Sequence, residues 1–159
     1  MTAGRKLSSD LSAEYADLLT RTMKLLSDMR KLAYENMNQF QHEYRCLQMV
    51  AELKGRVPGG TRLTWHWHPA QTSHPCEGDV VGYSGKKPVA QAEVTTSARP
   101  GGKIDERMRD KLKVLAALPG RYKFYGVVSE KMRIRAETKA KAHKITVVLL
   151  SGPDADATA

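Results

Sequence analysis

Apolar positions recur along the first third of the chain with helical spacing. Leu11, Tyr15, Leu18, Thr22, Leu25, Met29, Leu32 and Asn36 follow alternating steps of four and three, which is a heptad seam. Leu19, Met23, Leu26, Ala33 and Met37 widen it. No Pro or Gly stands between Ser9 and Lys54, so helix is expected from a cap at Ser9 or Asp10 onward. The poor helix formers of Asn36-Met37-Asn38-Gln39 interrupt the pattern. A second amphipathic stretch follows at Phe40, Tyr44, Leu47, Val50, Ala51 and Leu53, with Gly55 as its C-cap.

Beyond the turn Val57-Pro58-Gly59-Gly60 the period changes to two. Leu63, Trp65 and Trp67 alternate with Arg62, Thr64, His66 and His68, a strand with one apolar face. Asp79 to Tyr83 is a short β-branched run, Ser84-Gly85-Lys86-Lys87-Pro88 is turn chemistry, and Val89 to Thr96 alternates again. Lys103 to Leu118 carries a helical stripe of Ile104, Met108, Leu112, Leu115 and Ala116, stopped by Pro119-Gly120. Tyr122 to Val128 reads as a strand, a basic helix capped by Ser129 runs to about His143, and Ile145 to Leu150 is a last strand. The pattern predicts an α/β core over residues 39–151. A helical extension over 1–38 precedes it, and a disordered acidic tail over 152–159 follows.

The seam over residues 11–37 needs a partner, because so long an apolar stripe is seldom left bare on a soluble monomer. Self-association is the preferred reading; packing on this chain's own core or on another protein's helix are the alternatives. No apolar run approaches the length of a membrane span, MTAGRKLSSD has no signal core, and Cys46 and Cys76 are the only cysteines. These features lead to the expectation of a cytoplasmic protein.

Charge changes the picture. Arg99 to Lys144 holds 14 Lys/Arg against 5 Asp/Glu, so this segment carries the whole formal +9 and the remainder is neutral. That placement points to a polyanionic partner, nucleic acid above all. Arg99, Lys103, Lys111, Arg133, Arg135, Lys139 and Lys141 are the candidate contacts.

Candidate chemistry lies on the hairpin. Gln91, Glu93 and Thr95 share one strand face, and Asp79 heads the neighbouring strand. Two carboxylates converging from adjacent strands repel, and a divalent cation relieves that repulsion; oxygen donors suit Mg²⁺ or Mn²⁺. Asp79 and Glu93 are the expected metal ligands, with Gln91 and Thr95 in support. His66, His68, His74 and Cys76 have the composition of a zinc site but not the paired C-x-x-C spacing of structural zinc modules. Zinc ligation and exposed histidines beside a binding site both remain open for them.

The order α-β-β-β-α-β-α-β, with acids at these points, resembles the PD-(D/E)xK nuclease superfamily of restriction endonucleases and junction resolvases over residues 39–151. Glu77-Gly78-Asp79-Val80-Val81 looks like the stretch with the family's first metal-binding acid, and Gln91-Ala92-Glu93-Val94-Thr95 like its second motif. The resemblance implies a restriction-endonuclease-like core with a mixed central sheet flanked by helices, and metal-dependent cleavage of DNA, most simply double-stranded. It implies an accessory role for Glu43 on the leading helix. The family's motif Lys is replaced by Thr95, so a neighbouring cation, Lys103, Arg99 or Lys111, is the expected substitute. Alternatively the site runs on metal alone, or the fold is catalytically inactive and binds nucleic acid or a partner protein.

Overall fold

The change of period after Gly60 is where helix gives way to sheet. The computed structural model describes residues 3–35, 37–68 and 77–150, with side chains at 14, 16–29, 31, 32 and from 39 onward in those ranges. His74, Cys76 and the tail 152–159 lie outside the described residues. The chain divides into two compact units, Met1–Met37 and Asn38–Ala159.

The first unit is a single helix, α1 (Ala3–Glu35). It begins six residues before the expected cap at Ser9. A cap contributes only about 1 kcal/mol, so a Ser inside a run without Pro does not oblige the helix to start there. No described helix is long and apolar enough to cross a membrane.

All but the first residue of α2 (Met37–Arg56) belongs to the second unit, and the helix continues one residue past Gly55. The strands are β1 (Thr64–Trp67), β2 (Val80–Ser84), β3 (Lys87–Val94), β4 (Tyr122–Val127) and β5 (Thr146–Leu149), and the crossover helices are α3 (Gly102–Ala117) and α4 (Glu130–Ala140). The five strands form one mixed sheet in sequence order, β1-β2-β3-β4-β5. The first two pairings are antiparallel and the last two parallel. Gly85, at φ 60°, makes the two-residue turn between β2 and β3. Each parallel step needs a helical crossover, and α3 and α4 supply them. Ser129 Oγ accepts from the Met132 N–H at 3.2 Å and caps α4 as its position predicts.

Strand alternation sorts the core into two layers. Cys46, Met49, Val50 and Leu53 of α2 pack on Val80, Ala90, Ala92, Val94 and Phe124 on one face. Met108, Leu112 and Leu115 of α3 and Met132, Ala136 and Ala140 of α4 pack on Tyr125 and Val127 on the other. The sheet is thus covered by helices on both sides. The odd-numbered residues of β3 face the α3–α4 layer, and that is where the polar row of Gln91 and Glu93 goes.

Candidate carboxylate–lysine site

Asp79 stands one residue before β2, and its carbonyl accepts from the His68 N–H at 2.9 Å, prolonging the β1–β2 ladder. A Cβ at the preceding Gly78 would lie 2.6 Å from the carbonyl oxygen of Ala92, so only glycine lets the backbone come this close to β3. The close approach brings Asp79 Oδ2 within 2.9 Å of the Val94 N–H, which donates to it. His42 Nε2, from α2, lies 3.3 Å from the same oxygen. Lys111 Nζ, from α3, lies 3.5 Å from it and 2.6 Å from Glu93 Oε2. Asp79, Glu93, Lys111 and His42 therefore converge from β2, β3, α3 and α2.

The electrostatics of the group are uneven. Burial would raise the Asp79 carboxyl, but hydrogen bonding from His42, the Lys111 charge and the Val94 N–H hold it down to about 2. Burial and the Asp79 charge push Glu93 up to about 7, with Lys111 opposing. Burial works against the charge on Lys111, and the two carboxylates outweigh it, so its pKa is raised. Cys46 Sγ lies 3.7 Å from His42 Nδ1. Burial, then the Asp79 charge, push this thiol up to about 12, so it is not a thiolate nucleophile at neutral pH.

The other sequence candidates fall around this centre. Gln91 is fully buried: its Oε1 accepts from the Gly78 N–H at 2.7 Å and its Nε2 donates to the Pro119 carbonyl at 3.0 Å. Its side chain is a clip that holds the entry to β2 and the end of α3, not a group facing a ligand. Gln91→Leu should strand the buried Gly78 N–H, while the Pro119 carbonyl keeps Lys123 Nζ at 3.0 Å, lowering stability by about 1–3 kcal/mol; denaturant unfolding measures it, and an unchanged midpoint would remove the clip. Thr95 continues the β3–β4 ladder, its N–H donating to Gly126 O at 2.9 Å, and its Oγ1 accepts from the Ser97 N–H at 3.3 Å. Glu43 does not meet Asp79 in any described contact; its Oε1 accepts from Gln39 Nε2 at 3.1 Å. Helix neighbours diverge by about 100°, so the residue that reaches Asp79 is His42, one position earlier. Lys103 is exposed in the first turn of α3, about 12 Å along the axis from Lys111.

His42 was missed in the sequence, and a signal for it was present. It stands one turn before Cys46, on the stripe that Cys46, Met49, Val50 and Leu53 bury. Of the zinc candidates, His68 Nε2 lies 2.6 Å from Glu77 Oε2, and His66 packs edge-on against Tyr83 at 5.4 Å between centroids. Among the described residues no group of three or more His, Cys, Asp and Glu is arranged to hold a metal ion.

The basic residues divide into two sets. On α4, Arg133 pairs with Glu130 and Glu137, Arg135 with Asp105 at 2.9 Å, and Lys139 lies 3.7 Å from Asp105. On α3, Lys103 and Arg107 are exposed at steps of four leading to Lys111. Arg99 and Lys141 are exposed as well. Lys111 itself is engaged by the carboxylates rather than free on the surface.

No family model, no curated protein and no solved structure matches the chain.

Proposed function

We propose that the chain is a metal-dependent nuclease that hydrolyses DNA phosphodiester bonds, with Asp79, Glu93 and Lys111 as its catalytic group. The observation that carries this reading is the Lys111 ammonium 2.6 Å from Glu93 and 3.5 Å from Asp79. It supplies from α3 the positive charge that the family resembled keeps on the strand, where this chain has Thr95. The element order and the mixed sheet agree with the restriction-endonuclease-like core that the resemblance implies.

The donor set fits a hard divalent cation. Asp79 and Glu93 both lie within ion-pair reach of one point, the Lys111 ammonium, and Mg²⁺ takes one or two carboxylates with water and substrate phosphate completing its shell. A third protein ligand is not required. When bound by Asp79 and Glu93, Mg²⁺ or Mn²⁺ lowers the pKa of a water and offsets charge on the reacting phosphate. The chain's own residues do the rest. The Val94 N–H and His42 fix the Asp79 carboxylate in place. The Lys111 side chain is 42% exposed, so its ammonium is open to substrate and donates to a non-bridging phosphate oxygen as negative charge builds there. Lys103 and Arg107 continue the same row along α3 and guide the phosphate backbone toward the carboxylates.

Incubating the native chain with supercoiled plasmid and Mg²⁺ or Mn²⁺ should give nicked and linear DNA, and a chelator should stop it. Lys103→Ala with Arg107→Ala should weaken DNA binding and flatten its salt dependence by about two phosphate contacts, a slope change of about 1.8. Binding without cleavage under any metal would favour an inactive nucleic-acid-binding protein of the same fold.

A further inference from the structure

The apolar stripe of α1 is independent of the carboxylate site and of what that site does. Leu18, Leu19, Met23, Leu25, Leu26, Met29 and Leu32 are between 46% and 64% exposed. The helix that carries them is a unit of its own, 33 residues and about 50 Å long. Leucine recurs every seventh residue at 11, 18, 25 and 32. Naming these positions d places Tyr15, Thr22 and Met29 at a, and Leu19, Leu26 and Ala33 at e. It also places Glu14, Arg21, Asp28 and Glu35 at g.

We infer that α1 pairs with the α1 of a second copy, antiparallel, to make a two-fold dimer. The register itself singles out a second copy. With the helices antiparallel and crossing between residues 23 and 24, a residues meet leucines: Thr22 faces the second copy's Leu25, and Met29 its Leu18. One flank then closes with apolar contact, Leu19 against the second copy's Leu26. On the other flank Arg21 meets the second copy's Asp28, twice by symmetry. By sequence position the register also sets Glu14 beside Glu35 at each end of the overlap, a like-charge pair that counts against it.

Sliding the pair by one heptad either way breaks this match. In one direction Asp28 meets its own copy, in the other Arg21 does, and a layer of the seam is lost. A parallel pair gains no charge contact at all, because its g residues would face Leu19, Leu26 and Ala33. Among the described residues Arg21 pairs with Asp17, at 2.6 Å on an exposed surface, and such a pair exchanges partners at little cost. Aromatic and polar residues at the a positions are also easier to seat against leucine than against themselves. The seam is therefore self-complementary in one arrangement, which is the condition for a symmetric interface.

Sedimentation equilibrium of the full chain should give the mass of two copies, and Leu18→Glu with Leu25→Glu should halve it. Both residues are exposed, so the sheet's own unfolding transition should be unchanged in that variant. Orientation is read by oxidation with Cys46→Ala and Cys76→Ser in place: Leu18→Cys/Met29→Cys should cross-link copies, and Leu18→Cys alone should not. A native chain that sediments as a monomer, or as any species other than two copies, overturns the inference. Cross-linking through Leu18→Cys alone overturns it as well, since only a parallel pair brings those positions together.

Discussion

Lys111→Met should lower metal-dependent DNA cleavage by about 10²–10³-fold, the usual loss when one preorganised donor to a developing anion is removed. Adding Thr95→Lys to that variant should restore part of the rate. Thr95 is two residues past Glu93 on the same face, about 7 Å along the strand, so a lysine there reaches the place the Lys111 ammonium leaves. Single-turnover cleavage at saturating Mg²⁺ separates this from weakened binding. The fold should tolerate the change: the Lys111 side chain is 42% exposed, so its ion pairs are worth about 1 kcal/mol rather than the 3–5 kcal/mol of a fully buried pair. If Lys111→Met cleaves at the native rate, the lysine serves only to neutralise the carboxylates and has no part in the reaction. If the double variant recovers nothing while remaining folded, the charge must come from α3 specifically.

The second large effect is on stability against pH. Glu93 is raised from 4.5 to about 7, so between those values the folded chain binds more proton than the unfolded one. Stability therefore falls as pH rises through this window, by about 2–3 kcal/mol for this group, and it does not recover at higher pH. Asp79 has the opposite sign. Its carboxyl is lowered from 3.8 to about 2, so its contribution is complete above pH 4 and is lost as pH falls toward 2. Together the two carboxyls favour a maximum near pH 4–5. Denaturant unfolding of the metal-free chain at pH 5 and pH 8 measures the first effect, and Glu93→Gln should abolish it. Equal pH slopes for native chain and variant would mean that Glu93 ionises in the fold as it does in water.

Much of this arrangement was legible in the residues, and the parts that were not have a common cause. The alternation from Val89 to Thr96 put Glu93 on a polar face, and the hairpin put Asp79 beside it, because strand parity and turn length are local properties. The two helices that meet them are a different matter. Which of His42 and Glu43 reaches Asp79 depends on the rotation of α2 against the sheet, which its buried stripe of Cys46, Met49 and Leu53 decides. Three cations, Arg99, Lys103 and Lys111, were open as substitutes for the missing strand lysine. Only packing of Met108, Leu112 and Leu115 turns Lys111 inward and leaves Lys103 outside. Gln91 shares the face of Glu93, and alternation could not distinguish a buried clip from a ligand; its partners, Gly78 and Pro119, lie 13 and 28 residues away. The start of α1 was misplaced because a capping residue marks a favourable end without forbidding helix before it.

The oxygen Oδ2 of Asp79 takes contacts from α2, from the backbone of β3 and from α3. Those helices belong to apolar layers on opposite sides of the sheet, which the strands otherwise insulate from each other. One atom is thus the common joint of three layers. The two apolar halves of the interior, chemically separate, meet at a single carboxylate oxygen. Met49 and Leu112, in the apolar layers on either side, stand on the helices that carry His42 and Lys111 to that oxygen.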